Sequence, residues 1–255
     1  MQDTLEKASI VWEFSKKNDG SFFVENANHL PVLYFPLMNT AGMKSFVTPE
    51  LKGDVCKDFH HYLTTPTVTE EIHRTVSSRN FWIKSKGLKP WSATGQSAFQ
   101  KTHKWNGLND ASSLKASIGA FTTIRKQLET SLETSITTFI PEGNDFVEVL
   151  KISVCNTGEA PQTFEPYYAL PLFGRSADNV RDHRQVTTMF QENFIEEYGV
   201  RIKPKIVHDE SSHSINETNY VTLGFDGNAN KPEKIWIRLH DFIGESGTLD
   251  NPEAI

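Results

Sequence analysis

From residue 121 to residue 173 the apolar and polar positions predict a long strand, a turn, a second strand, a polar hairpin and a third strand. Between residues 124 and 140, Ile124, Leu128, Leu132, Ile136 and Ile140 share one parity, while Arg125, Gln127, Glu129, Ser131, Glu133 and Ser135 occupy the other. Steps of four also suit a helix, so the spacing alone does not decide. The density of Thr and Ser, the stop at Pro141-Glu142-Gly143-Asn144 and the apolar run from Phe146 to Val154 favour strands. Turn residues at 156–161 and a return strand over 164–173 complete an all-β pattern.

The same reading extends to both ends. Residues 10–14 and 21–25 predict two strands around a tight Asn18-Asp19-Gly20 turn, a hairpin suited to a sheet edge. Residues 26–40, rich in aromatics and proline, predict an ordered, partly buried loop. Residues 191–199 fit a short helix or a strand, and residues 220–225 and 234–240 alternate like strands.

At 255 residues the chain is long enough to bury a substantial core as one large domain. Its 32 acidic residues exceed its 26 basic ones and no basic block occurs, which argues against nucleic acid as a partner. Cys56 and Cys155 show no metal or redox spacing and are expected to be free thiols of a reducing compartment. The first residues lack the basic and apolar segments of a secretory signal, and no stretch is apolar enough to span a bilayer, so the expected location is cytoplasmic with no membrane contact.

Candidate chemistry is sparse. Glu70-Glu71 and Glu196-Glu197 are adjacent pairs, which on a strand point to opposite faces and cannot flank one bond. The nine histidines, including His60-His61 and the pair His208 and His213, lack zinc-ligand spacing, and no glycine pattern fits a nucleotide. The segment from Arg175 to Arg184, with three arginines and a histidine, reads as a solvated loop or interdomain contact, an anion site being the alternative. Asn216-Glu217-Thr218 is a formal glycosylation sequon, expected to be inert without a signal peptide. Catalytic residues and metal ligands are therefore expected to be absent.

The tryptophans are the remaining candidates, because an indole face packs against the C–H face of a pyranose while its N–H reaches a hydroxyl. Trp12, Trp82 and Trp236 lie in strand-like runs and are expected in the core. Trp91 and Trp105 lie in loop-like contexts, where core or interdomain packing is the stronger explanation, and they are the candidate carbohydrate contacts.

Several motifs together resemble a known family. Asn80-Phe81-Trp82-Ile83, Pro90-Trp91-Ser92, the strand ending in Phe139-Ile140-Pro141, Val147-Glu148-Val149 leading to Asn156, and Asp241-Phe242-Ile243-Gly244 followed by Pro252-Glu253-Ala254 resemble the amino-terminal sandwich of glycoside hydrolase family 94. Residues 22–31 and 34–43 are most similar to its β-1,2-oligoglucan phosphorylase branch. The resemblance implies an all-β supersandwich of the galactose-mutarotase type, with short helical or irregular insertions. It implies a parent enzyme that uses inorganic phosphate as co-substrate to cleave a β-linked glucooligosaccharide with inversion, giving α-glucose 1-phosphate. In the family a large (α/α)6 barrel carries the general acid and the phosphate site, and nothing in this chain resembles it. Residues 1–255 are thus expected to be an amino-terminal domain incomplete at its carboxyl end. Its partners would be its own catalytic domain and a second copy in a homodimer. A stand-alone carbohydrate-binding module using Trp91 or Trp105 is one alternative. A mutarotase-like enzyme is another, although no motif nominates the His and Glu it needs.

Overall fold

The computed structural model describes residues 10–68, 72, 79–104, 110–181, 184–208, 213–215 and 217–255. The chain opens with the hairpin β1 (Val11–Phe14) and β2 (Phe22–Glu25), followed by β3 (Phe35–Met38), β4 (Lys44–Val47), β5 (Val55–Asp58) and β6 (His61–Tyr62). Next come β7 (Asn80–Ser85), β8 (Trp91–Ser92) and the short helix α1 (Ala98–His103). Four longer strands follow: β9 (Ala111–Ser117), β10 (Ala120–Lys126), β11 (Leu132–Phe139) and β12 (Val149–Asn156). Then come β13 (Phe164–Ala169), α2 (Arg184–Met189), β14 (Gln191–Glu196), β15 (Gly199–Pro204), β16 (Ile206–His208), β17 (His213–Ile215), β18 (Tyr220–Leu223) and α3 (Leu239–Ile243).

The backbone of the fold is a six-stranded antiparallel sheet in the order β1-β2-β9-β10-β11-β12. Its registers put Val24, Leu114, Ala116, Phe121, Leu132, Ile136 and Ile152 on one face. Lys115, Thr122, Ser135, Thr137 and Lys151 lie on the other, as period-two alternation requires. Two smaller sheets share the apolar face. The four-stranded β3-β4-β5-β6 sheet covers one half, joining Leu37, Met43, Val47 and Val55 to Val24, Leu114 and Phe121. The β13-β7-β8 sheet covers the other half, bringing Phe81, Ile83 and Trp91 onto Leu132 and Ile136. A further β14-β15-β18 sheet and the β16-β17 pair follow.

A buried ion pair fastens the two covers to the large sheet. The Arg79 guanidinium has no solvent exposure; it donates from Nε to Glu148 Oε2 at 2.8 Å and from Nη2 to Glu148 Oε1 at 2.8 Å. Nη2 also reaches Ser45 Oγ on β4 at 2.9 Å. Arg79 stands immediately before β7 and Glu148 immediately before β12, so one planar fork ties three sheets.

Several expectations change. The strand over residues 124–140 is a hairpin: Gln127 N–H donates to the Leu132 carbonyl at 2.8 Å, and Ser131 takes φ 59° to turn the chain. The buried parity therefore switches from Phe121, Thr123 and Arg125 on β10 to Leu132, Thr134 and Ile136 on β11. Leu128 sits exposed at the tip. The return strand over 164–173 is the shorter β13, and it pairs with β7 in a different sheet. The 26–40 loop contains an edge strand, β3, whose Pro36 is tolerated because that edge needs no donor. Residues 234–238 are irregular and lead into α3.

Trp12 faces the covered side of the large sheet but is 39% exposed, because the edge strand β1 overhangs the cover. It stacks on Phe14 and Phe22 instead. Trp236 is half-buried and packs against Tyr167 and Phe242. The β1–β2 edge hairpin and β18 lie where the alternation places them, the helix-or-strand alternative over 191–199 resolves to the strand β14, and Cys56 and Cys155 are free.

Candidate functional site

The β13-β7-β8 sheet has two unlike faces. Registers Ile83↔Trp91 and Trp82↔Ser92 put Trp91 on the core side and Trp82 on the opposite side, beside Tyr167 of β13. Helix α1 runs alongside and contributes to both.

On the core side the Trp91 indole and the amide of Gln100 are both engaged. Trp91 is 4% exposed and its Nε1 donates to Asp110 Oδ2 at 2.7 Å. Gln100 of α1 donates from Nε2 to the same oxygen at 2.6 Å and to the Ser92 carbonyl at 2.9 Å, while its Oε1 accepts from Ser92 N–H at 2.9 Å. Ser92 stands on the Trp82 side, where its hydroxyl and that of Thr94 both donate to Asn80 Oδ1. Ser97 caps α1 by accepting from Gln100 N–H at 3.1 Å. Glu50 pairs with Lys52 at 3.1 Å and with Lys104 at 2.8 Å. Arg125 lies in the same interior; burial pushes its guanidinium down, and the carboxylates of Asp110 and Glu50 act against that shift. Gly95, at φ +73°, makes room for it: a Cβ there would stand 2.7 Å from Arg125 Cζ.

On the opposite side lies a cleft of about 560 Å³. Trp82, with 1% exposure, lines it deep in the protein, α1 supplies Phe99, Thr102 and His103, the chain before β8 supplies Lys89 and Pro90, and residues 250–252 close the far wall. Phe99, Thr102 and His103 share a helix face by their spacing, and the Phe99 and His103 rings meet edge to face at 4.3 Å. Phe99 is 44% exposed and carries Lys89 Nζ over its ring at 4.7 Å. The far wall is clamped to α1 by Ala98 N–H to the Asp250 carbonyl at 2.7 Å and by Lys101 Nζ to Asp250 Oδ2 at 3.0 Å. Burial raises the Asp250 carboxyl, but the Thr248 and Lys101 hydrogen bonds prevail and hold it below its usual range. Trp82 Nε1 and His103 Nδ1 are both buried without a hydrogen-bond partner. Each such group costs about 1–3 kcal/mol while it stays unpaired.

The structure thus reassigns the tryptophans. Trp91, a candidate sugar contact, is a core residue with its N–H already used. Trp82, expected in the core, is buried but lines the cleft. Trp105, Glu70, Glu71 and Asn216 lie outside the described residues, as do the side chains of His208 and His213. Arg175 donates to the Phe173 carbonyl and to the Thr187 and Thr188 hydroxyls, so it secures α2. His61 pairs with Asp58 at 2.7 Å, and Glu196 with Arg201 at 2.7 Å. Among the described residues no group of three or more His, Cys, Asp and Glu could hold a metal ion. No helix among them is long and apolar enough to cross a membrane.

Phe99 and His103 were not singled out by sequence. The signal was present as an aromatic and an imidazole four residues apart directly after Ser97, a capping residue.

Comparison with curated protein sequences finds no match. The family model described as glycosyl hydrolase 94, supersandwich domain, matches residues 56–255, from within β5 to the end of the sequence. Its supersandwich description agrees with the all-β layering of a large sheet beneath smaller ones. The chain belongs to the glycosyl hydrolase 94 family, through its supersandwich domain.

Proposed function

We propose that this chain is the amino-terminal, non-catalytic part of an inverting phosphorylase of β-linked glucooligosaccharides, with the β-1,2-oligoglucan branch the finer assignment. The observation that carries the reading is the supersandwich match over residues 56–255. The sandwich acts as scaffold and as interdomain or dimer surface for a helical barrel that performs the chemistry. The parent enzyme works in the cytoplasm, takes inorganic phosphate as co-substrate and needs no organic cofactor or metal.

Inverting phosphorolysis requires a carboxylic acid to protonate the leaving oxygen and a cationic pocket that presents phosphate to the opposite face of the sugar. Among the described residues several buried charges are committed to one another: Arg79 to Glu148, and Lys52 and Lys104 to Glu50. Such pairs hold structure and leave neither partner free for proton transfer or phosphate.

The test is phosphate release from α-glucose 1-phosphate with sophorose, cellobiose and laminaribiose as acceptors, on this chain and on a longer reading frame that continues it. Activity is expected in the longer form alone, strongest with sophorose. Turnover by the 255-residue chain itself would overturn the non-catalytic assignment.

A further inference from the structure

We infer that the cleft between α1, the outer face of β7 and residues 250–252 is a binding site for a neutral pyranose ring, held by the sandwich itself. Its volume of about 560 Å³ lies within the range of sites for small ligands. Its lining sets the ligand class. The half-exposed ring of Phe99, with Pro90 and Pro252 nearby, offers apolar surface that fits the C–H face of a sugar ring. Around it stand groups that hydroxyls satisfy: the unpartnered Trp82 Nε1–H donor, the unpartnered His103 Nδ1, and the side chains of Thr102 and Asn251.

Charge narrows the choice. Among the described residues the one carboxylate of the lining, Asp250, is paired with Lys101 behind it, and the one ammonium, Lys89, lies over Phe99. That balance gives no excess of either sign for a phosphate or a polycation, whereas a neutral polyol needs none. A purely apolar ligand would leave Trp82 and His103 unpaired. The walls are held in place before any ligand arrives, since Gln100 anchors α1 to β8 and Asp250 anchors the far wall to α1.

The experiment is saturation-transfer NMR and calorimetric titration of this chain with glucose, cellobiose and sophorose, with glucitol as the acyclic counterpart. Saturable binding of at least one cyclic sugar is expected, with glucitol at least about ten-fold weaker because it has no rigid C–H face. Phe99→Ala is expected to weaken binding by about ten-fold. The exposure of that ring keeps its melting temperature near the parent's. Trp82→Phe, which removes the N–H and keeps a ring, is expected to weaken binding by about three-fold. Trp12→Ala, an exposed aromatic on the first edge strand, is expected to leave binding unchanged. The proposal is overturned if no cyclic sugar saturates, if glucitol binds as well, if Phe99→Ala binds like the parent, or if Trp12→Ala abolishes binding. The readout is binding without turnover, so it fails or succeeds separately from the phosphorylase assignment.

Discussion

Trp91 and Trp82 stand on adjacent strands of one small sheet, and their indole N–H groups differ in whether the protein pairs them. On the Trp91 face the indole N–H and the Gln100 amide both donate to the Asp110 carboxylate. On the Trp82 face the indole N–H and an imidazole nitrogen have no partner, and a cleft lies against them. Residue type and burial are the same for both tryptophans. What separates the two aromatics is that the Trp91 N–H has a protein acceptor and the Trp82 N–H has none, which leaves the second for a ligand.

The largest expected effect is at the sealed face. Trp91→Ala empties the cluster shared with Phe81, Ile83, Leu132 and Ile136 and strands Asp110, and is expected to cost about 3–5 kcal/mol in urea unfolding. A loss under about 1 kcal/mol would mean that this face is not the packed core described.

A second effect concerns a carboxylate of the interior that is poorly satisfied. Burial pushes the Asp54 carboxyl up to about 6, against the Thr67 N–H hydrogen bond and the Arg79 charge, which act to lower it. The unfolded chain titrates near 3.8, so between 3.8 and about 6 the folded state binds the extra proton. Asp54 therefore favours folding most at low pH, and that contribution falls as pH rises through about 6, by up to about 3 kcal/mol. Asp54→Asn keeps an acceptor for Thr67 and removes the titration. Its stability relative to the parent is expected to rise between pH 4 and pH 7 in urea melts; parallel pH profiles would refute the assignment.

Smaller again is Asp110→Ala, which leaves Trp91 Nε1 and Gln100 Nε2 without their shared acceptor and is expected to cost about 1–3 kcal/mol. The smallest is Trp82→Phe. Removing an N–H that has no partner offsets part of the cavity cost of the smaller ring, and the net loss is expected to stay below about 2 kcal/mol. A loss of more than about 2 kcal/mol would erase the contrast between the two faces.

Much of the fold was legible as local pattern. The β1–β2 hairpin was marked by Asn18-Asp19-Gly20, and β18 by alternation around Tyr220. The β10–β11 turn escaped because its left-handed residue is Ser131, with no glycine or proline to announce it, and because steps of four carried an apolar stripe through the bend. The irregular course of residues 234–238 escaped because alternation reports side-chain spacing and not the presence of a pairing partner. The site was less legible still. Which side of β7 meets the core depends on registers with β8 and β13, and β13 lies far along the chain. Trp91 looked loop-borne because β8 is a two-residue strand between a proline and a glycine-bearing turn. The cleft's far wall, residues 250–252, joins α1 through contacts that no local motif announces.

The contrast between the two faces is tested most directly by the indole N–H spectrum of the 15N-tryptophan-labelled chain, with signals assigned by Trp82→Phe and Trp91→Phe and followed during titration with cellobiose and sophorose. The Trp82 signal is expected to shift saturably while the Trp91 signal, held by Asp110, stays in place. A Trp91 signal that moves while Trp82 is silent, or no movement of either at saturating sugar, would contradict the assignment of one face to structure and the other to ligand.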